Sequence, residues 1–341
     1  MTRKIAAIPL TILGGYLGAG KTTLLNALLG GDHGLRLAIL VNDFGRINID
    51  ADLIASHGGD TVSLTNGCVC CSLGDNLAMT LLELAGRTAP PDHIVIEASG
   101  VADPRRVAFY GSAHPRLQLN AVMVVADAET LRLRLKDPYV GELVLRQLDS
   151  ADLILLSKLD LLDDTERAAA HKFVREVVPQ ARIVEAVRGR VPPDLLLGMA
   201  STRAPACSPD RVLLQPLSHV PSTEHADRFA RWSFVSERPF DRERLRATIE
   251  SLPPSVLRAK GVLYLNGDRA HSFILQLVGR RWTLEAGNLS GEEDRLSRLV
   301  VIGPTESLDR SRLTDAFHGA LVDGGRSRAS RVCDVHGQGE R

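Results

Sequence analysis

The residues best suited to chemistry lie near the start of the chain, where Gly15, Gly20, Lys21 and Thr22 form the pattern Gly-x-x-x-x-Gly-Lys-Thr. Glycines let successive backbone N–H groups turn toward a phosphate, and the lysine reaches the β- and γ-phosphate oxygens. The threonine hydroxyl can bind Mg²⁺, and the following helix presents its positive end to the anion. Because a strand-like run precedes this pattern and a helix-like run follows it, the sequence predicts a nucleoside triphosphate site. The predicted phosphate-binding residues are Gly15, Gly18, Ala19, Gly20, Lys21, Thr22 and Thr23.

A second cluster of reactive side chains comprises Cys68, Cys70 and Cys71, which are three of the chain's five cysteines. Thiolates suit Zn²⁺, and they also bind Co²⁺, Ni²⁺ and Cu⁺. The surrounding glycines and small polar residues indicate a loop, in which a disulfide between such near neighbours would be strained. A redox role and inert buried thiols are the alternatives to metal binding. Three thiolates leave a fourth position for another side chain, water or a partner protein, which suits metal transfer.

Two carboxylates follow apolar, strand-like runs at Asp43 and Glu97. In doubly wound sheets, the strand ends beside the phosphate loop handle Mg²⁺ and the γ-phosphate. We therefore predict that Glu97 orients a Mg²⁺-bound or attacking water and that the Gly100 N–H contacts the γ-phosphate. Asp43 is predicted to lie near Mg²⁺, near the cysteine-bound metal, or between them. The alternative for the segment after Glu97 is an ordinary helix N-cap. The candidate catalytic residues are Lys21, Thr22, Asp43 and Glu97.

The sequence Ser157-Lys158-Leu159-Asp160 follows another buried strand-like run. A carboxylate there can accept hydrogen bonds from guanine N1–H and the 2-amino group, which adenine cannot donate. The wrong base would leave a buried polar group unpaired, so Asp160 favours GTP. Lys158 and Asp160 are therefore the predicted base-binding residues. The alternative is an ordinary polar loop after a strand.

Strand-like and helix-like runs alternate from residue 1 to 187 and predict an α/β fold with a doubly wound, mainly parallel sheet. Residues 188–226 contain six prolines and are predicted to form a linker. Residues 227–321 have the mixed pattern of a smaller α+β domain. Residues 322–341 are rich in Gly, Arg and Ser and are predicted to be a flexible tail. That tail contains Cys333 and His336, for which solvation is favoured over metal binding.

The balance of charges limits the partners of the chain. Lys plus Arg and Asp plus Glu both number 41, and aromatic residues make up 4% of the chain. This composition argues against binding to nucleic acid or to an anionic membrane surface. No apolar stretch approaches the roughly 18 residues of a membrane span. The basic and apolar N-terminus imitates a secretory signal, but cleavage there would destroy the phosphate loop. Clustered thiols beside a nucleotide site predict a cytoplasmic protein.

Five motifs together resemble one family, the CobW-type GTPases, which are related to the GTPases of hydrogenase and urease maturation. In chain order the motifs are Gly-Gly-Tyr-Leu-Gly-Ala-Gly-Lys-Thr-Thr (14–23), Asn-Asp-Phe-Gly (42–45), Asn-Gly-Cys-Val-Cys-Cys (66–71), Glu-Ala-Ser-Gly-Val-Ala-Asp-Pro (97–104) and Ser-Lys-Leu-Asp (157–160). The resemblance implies a P-loop NTPase fold followed by a smaller C-terminal α+β domain. It also implies a metallochaperone that uses GTP, Mg²⁺ and Zn²⁺. In such proteins GTP binding and hydrolysis gate the delivery of metal from the Cys-x-Cys-Cys motif to a client metalloprotein.

The chain departs from the family pattern at two positions. Asp43 stands where Glu is common, which shortens the metal-reaching arm by one methylene group. Ser157 replaces the usual Asn, which predicts weaker discrimination between GTP and ATP. The His-rich loop of some members is absent from the sequence, which argues against bulk metal storage.

Two other functions are compatible with the motifs. One is a nucleotide-binding metal or redox sensor that regulates a partner protein through its cysteines. The other is a small-molecule kinase, which needs an arginine-rich lid, for which Arg105 and Arg106 form the nearby pair. The sequence specifies neither the client protein nor an oligomeric state.

Overall fold

The computed structural model describes residues 7–31, 33–41, 60–63, 73–112, 114–198, 228–268, 270–287, 295–323 and 331–333. The chain separates into two compact units, Met1–Gly198 and Met199–Arg341.

A parallel sheet of seven strands forms the centre of the first unit, in the spatial order β3-β2-β4-β1-β5-β6-β7. The chain leaves β1 toward β2 on one side and leaves β4 toward β5 on the other. Such a reversal places a ligand crevice at the carboxyl ends of the strands. The strands are β1 (Ile8–Gly14), β2 (Leu37–Val41), β3 (Asp60–Ser63), β4 (His93–Glu97), β5 (Leu117–Asp127), β6 (Leu153–Ser157) and β7 (Ile183–Ala186).

The helices of the first unit follow the predicted alternation with the strands. One apolar cluster packs α2 and α3 against β1, β2 and β4, and another packs α5 and α6 against the ends of β5 and β6. The α/β fold class with a doubly wound parallel sheet is confirmed. The helices are α1 (Lys21–Leu29), α2 (Leu73–Gly86), α3 (Pro104–Ser112), α4 (Leu131–Lys136), α5 (Gly141–Ser150), α6 (Asp164–Val177) and α7 (Pro193–Leu197), with a 3₁₀ turn at Leu159–Leu161.

Helix α7 lies in the segment whose prolines predicted a linker. Pro193 occupies the first turn of the helix, where the missing N–H has no intrahelical partner to lose. Leu195, Leu196 and Leu197 are buried to at least 96%. Proline content therefore misled the sequence interpretation here, because it marks the start of a helix rather than the absence of one.

A buried polar cluster fastens α7 to the sheet. The Thr11 hydroxyl lies 2.8 Å from His93 Nε2 and 3.1 Å from the Leu196 carbonyl oxygen. The Asn120 amide donates to Thr11 Oγ1 at 2.9 Å. Thr11 is 2% exposed and His93 is 1% exposed, so these bonds are shielded from water.

Replacing Thr11 with valine is expected to destabilise the first unit by about 1–3 kcal/mol, since buried polar groups would lose a partner while the volume stays nearly constant. The measurement is the urea midpoint at an unchanged m-value. Thr165→Val, on the exposed side of α6, is the matched control. Equal midpoints for the two variants would show that the cluster contributes nothing to stability.

The second unit is built on an antiparallel sheet of six strands in the order β11-β10-β9-β12-β8-β13. Helices α8 (Arg242–Glu250) and α9 (Arg310–Gly319) contribute to its core, together with a cluster of aromatic rings at Trp232, Phe234, Phe240 and Phe317. This is the predicted smaller α+β architecture. The strands are β8 (Phe229–Ser236), β9 (Arg258–Leu263), β10 (Ser272–Val278), β11 (Arg281–Gly287), β12 (Ser297–Pro304) and β13 (Arg331–Cys333).

Two details of the second unit differ from the sequence interpretation. Strand β9 begins at Arg258, three residues before the predicted start at Gly261. These first residues were not predicted as a strand because Arg258 and Lys260 alternate with buried Ala259 and Gly261 and interrupt the apolar run. Strand β13 lies within the predicted tail, where Cys333 pairs with Ser233 of β8. His336 lies outside the described residues.

Candidate nucleotide and metal site

The phosphate loop connects β1 to α1. Gly15 has a φ of 133°, and a Cβ at this position would lie 2.3 Å from the Val125 carbonyl oxygen. Glycine is therefore required for both conformation and space. Gly20, with a φ of 100°, directly precedes α1, so the first N–H groups of that helix face the loop. The sequence places Gly18 and Ala19 within the same turn.

The Lys21 side chain folds back over the phosphate loop. It is only 8% exposed, and its Nζ donates to the Gly15 carbonyl oxygen at 3.0 Å and to the Tyr16 carbonyl oxygen at 3.5 Å. A phosphate bound in the loop would lie within reach of the same ammonium group. Thr22 is half-buried in the first turn of α1, and Thr23 beside it is exposed.

Glu97 and Gly100 lie beside the phosphate loop. Glu97 ends β4, is 2% exposed, and is in register with Leu13, one residue before the end of β1. A Cβ on Gly100 would lie 2.8 Å from the Leu17 backbone nitrogen. The structure therefore brings both predicted γ-phosphate residues to the loop.

The strands that lead to the remaining predicted ligands end at the same edge of the sheet. Val41, the last residue of β2, is in register with Glu97 on one side and with Ser63, the last residue of β3, on the other. Asp43 follows Val41 by two residues in the sequence. Asp43, Cys68, Cys70 and Cys71 themselves lie outside the described residues.

Ser157 connects the predicted base-binding segment to the phosphate loop. Ser157 is 5% exposed, and its hydroxyl lies 2.7 Å from the Ala19 carbonyl oxygen and 3.1 Å from the Ala126 carbonyl oxygen. A hydroxyl has one hydrogen, so it donates to one of these carbonyls at a time. Ser157 therefore holds the phosphate loop through a backbone carbonyl.

Lys158 is held in place by Asp127, the last residue of β5. Lys158 has a φ of 58°, and its Nζ donates to Asp127 Oδ2 at 2.8 Å. Asp127 also accepts from the Thr130 hydroxyl at 2.9 Å and from the Glu129 N–H at 3.0 Å. The carboxylate therefore fixes both the lysine and the turn that follows β5.

Asp160 lies in the 3₁₀ turn after Lys158. Its Oδ2 is 3.8 Å from Arg188 Nε, in the turn after β7. The Asp160 side chain is 30% exposed, so its carboxylate remains open to a ligand. The structure thus assembles Ser157, Lys158, Asp160 and Arg188 at one corner of the carboxyl edge.

Comparison with known families settles the affiliation of the chain. The family described as "CobW/HypB/UreG, nucleotide-binding domain" matches residues 9–185, more than half of the chain. The chain belongs to this family. The resemblance inferred from the five motifs is thereby confirmed. The "Cobalamin synthesis protein cobW C-terminal domain" family matches residues 229–321, within the second unit.

Relatives of this CobW-family chain carry informative names. A protein named zinc chaperone CobW from Sinorhizobium sp is 32% identical, covering 87% of this chain and 92% of the relative. A zinc-regulated GTPase metalloprotein activator 1 from Dictyostelium discoideum is 29% identical, covering 77% and 64% of the two chains. The crystal structure of Zn(II)-bound YjiA GTPase from E. coli is 26% identical, covers 92% and 99% of the two chains, and has a TM-score of 0.43.

Three polar residues at or near this site were not predicted from the motifs: Asp127, Gln147 and Arg188. Asp127 follows an apolar strand just as Glu97 does, so that signal was available. Gln147 falls on the apolar stripe of α5 between Val144 and Leu148, where a polar residue is unusual. The sequence around Arg188 carried no comparable signal.

Two features are absent from the ranges that the structure describes. Those ranges contain no group of three or more His, Cys, Asp or Glu residues arranged to hold a metal ion. Among the described helices, none has the length and apolar character needed to cross a membrane.

Proposed function

We propose that this chain is a GTP-hydrolysing metallochaperone. It binds zinc or a similar divalent ion through Cys68, Cys70 and Cys71 and transfers that ion to a client metalloprotein in a GTP-dependent step. The cytoplasm, where thiols remain reduced, is the compartment in which we expect it to act. Support comes from its family, from relatives named zinc chaperone and metalloprotein activator, and from the geometry of the sheet edge.

One structural observation carries the proposal. The register of Val41 with both Glu97 and Ser63 makes the strand ends before Asp43 and before the cysteines neighbours of the strand end at the nucleotide site. The chain therefore enters the predicted metal-binding segment close to the predicted γ-phosphate position. A change in phosphate contacts can reorganise such segments, as occurs in nucleotide switches.

The nucleotide-binding residues fit GTP with Mg²⁺. The Thr22 hydroxyl and the Glu97 carboxylate are hard oxygen donors of the type that Mg²⁺ prefers. When bound, Mg²⁺ neutralises charge on the β- and γ-phosphates. Lys21 adds a positive charge to the same oxygens, and the Gly100 N–H senses the terminal phosphate.

In this proposal Asp160 recognises the guanine base. The carboxylate accepts from guanine N1–H and the 2-amino group, while Lys158, fixed by Asp127, supports the segment that presents it. The Ser157–Ala19 hydrogen bond joins this segment to the phosphate loop, so base and phosphate binding reinforce one another.

Zinc affinity is expected to depend on nucleotide state, because the strands that lead to the two predicted sites end at one edge of the sheet. Coupling between linked sites typically amounts to about 5–150-fold, and the converse effect of zinc on GTP affinity must have the same size. The measurement is competitive zinc titration of the apo protein, the GDP complex and the complex with a non-hydrolysable GTP analogue.

A variant with all three of Cys68, Cys70 and Cys71 changed to serine should lose zinc binding and the coupling while it retains GTP binding. Cys207→Ser, outside the motif, is the control. Equal zinc affinity in all three nucleotide states would contradict the chaperone mechanism. Partner binding that depends on thiol oxidation instead would favour the sensor.

A further inference from the structure

Gln147 is a buried polar residue outside the predicted site. It lies on α5, is 1% exposed, and shares the inward-facing stripe of that helix with Val144 and Leu148. A glutamine in such a place must satisfy its amide or destabilise the core. The hydrogen-bond partners of the Gln147 amide therefore indicate what compensates for its burial.

Both contacts of the Gln147 amide nitrogen are made with the loop after β4. Nε2 donates to the Gly100 carbonyl oxygen at 3.1 Å and to the Ala102 carbonyl oxygen at 2.9 Å. The two carbonyls accept only, which fixes the orientation of the amide. Between them, the Ala102 N–H donates to the Ser99 carbonyl oxygen at 2.9 Å, so residues 99–102 form a turn. The glutamine thus holds this turn by two of its carbonyls.

The opposite side of the turn faces the phosphate loop. A Cβ on Gly100 would lie 2.5 Å from Leu17 Cδ2, so the turn and the loop are in direct contact. Gln147 Oε1 is buried and accepts no hydrogen bond from the residues that the structure describes. Gln147, Tyr16 and Leu17 contribute to the wall of one cavity of about 20 Å³. Such a volume is about that of a single water molecule.

We propose that Gln147 is a positioning residue for the γ-phosphate: by holding the carbonyls of Gly100 and Ala102, it orients the Gly100 N–H toward the terminal phosphate of GTP. The inference deepens the proposed function and rests on its assignment of Gly100. Because GDP lacks the γ-phosphate, this positioning strengthens GTP binding and leaves GDP binding nearly unchanged.

The test compares affinities for GDP and for a non-hydrolysable GTP analogue in Gln147→Met, which keeps the side-chain length and removes both donors. We expect analogue affinity to fall about tenfold, as for the loss of one net hydrogen bond, with GDP affinity within about twofold of the wild type. Gln276→Met in the second unit is the matched control. Unchanged analogue affinity, or equal losses for both nucleotides, would overturn the proposal.

Gln147→Glu provides a second readout that a purely structural role would not produce. The ionised carboxylate opposes two carbonyl oxygens, whereas the protonated acid can donate to one of them. Burial raises the pKa of such a carboxyl group, so the ratio of analogue to GDP affinity should recover between about pH 8 and pH 5.5. Gln147→Met, titrated in parallel with the wild type, should show no such recovery. A flat profile in Gln147→Glu would also overturn the proposal.

Two further outcomes separate this inference from the function on which it rests. Gly100→Ala should reduce analogue affinity more than GDP affinity, since its methyl group would collide with Leu17. If Gly100→Ala changes the ratio and Gln147→Met does not, the role of Gln147 is wrong and the GTP site stands. If neither variant changes the ratio, the assignment of Gly100 fails as well.

Discussion

Lys21→Ala is expected to reduce GTP hydrolysis by about 10²–10³-fold, the usual cost of removing one donor aimed at charge that develops in the transition state. The ammonium group is within hydrogen-bonding distance of the Gly15 and Tyr16 carbonyl oxygens, so it already lies at the mouth of the loop. The measurement is single-turnover GTP hydrolysis, with nucleotide affinity determined by calorimetry.

The matched control for Lys21→Ala is Lys172→Ala on α6, whose side chain is 80% exposed and lies 3.9 Å from Glu176. That variant should hydrolyse GTP at the wild-type rate. A thermal midpoint of Lys21→Ala close to that of the wild type would show that the loss is chemical rather than structural. Wild-type hydrolysis by a folded Lys21→Ala protein would refute the phosphate-loop assignment.

Asp160→Asn is expected to lower GTP affinity by about 10–100-fold, because a charge-assisted hydrogen bond is lost and a guanine donor is left unpaired. ATP affinity should change little, since adenine lacks those donors. Xanthosine triphosphate carries a carbonyl in place of the 2-amino group, and the new amide can donate to it, so its affinity should rise. The measurement is competition among the three nucleotides.

Asp164→Asn at the exposed start of α6 is the control for Asp160→Asn, since it removes the same charge close by in the sequence. Losing the 3.8 Å contact with Arg188, whose side chain is 79% exposed, should cost little stability. Parallel losses of GTP and ATP affinity in Asp160→Asn would show that the residue supports the fold and does not read the base. Equal affinities of the wild type for GTP and ATP would instead mean that Ser157, in place of Asn, has removed the preference for guanine over adenine.

The phosphate loop and the strands around it could be predicted because local sequence dictates them. Gly15 and Gly20 mark backbone conformations that other residues adopt only with strain, and Lys21 follows at the spacing a phosphate requires. The runs Leu37–Val41 and Leu153–Ser157 are buried on both faces, so they carry the unbroken apolar pattern of central parallel strands.

The sequence marks Asp127 and Gln147 as unusual, but their roles and that of Arg188 could not be predicted because they depend on contacts between distant parts of the chain. Gln147 meets a turn 45–47 residues earlier in the sequence, and Lys158 meets Asp127 across 31 residues. Such pairs arise only when the folded sheet brings together the segments that follow separate strands. Helix α7 was not predicted for a different reason. It is short and begins at prolines, so its sequence resembles a linker, and only the structure shows that Leu195–Leu197 are buried.

The attachment of α7 has a consequence for dissecting the protein into separately folding pieces. A fragment that stopped after the last strand, at about residue 187, would omit three buried leucines and the Leu196 carbonyl that Thr11 contacts. Thr11 lies in the middle of β1, the strand that ends at the phosphate loop, so the damage would lie within the nucleotide-binding element itself. We therefore expect the smallest autonomous nucleotide-binding piece of this chain to extend through Gly198, beyond residue 185, where the match to the nucleotide-binding domain family ends.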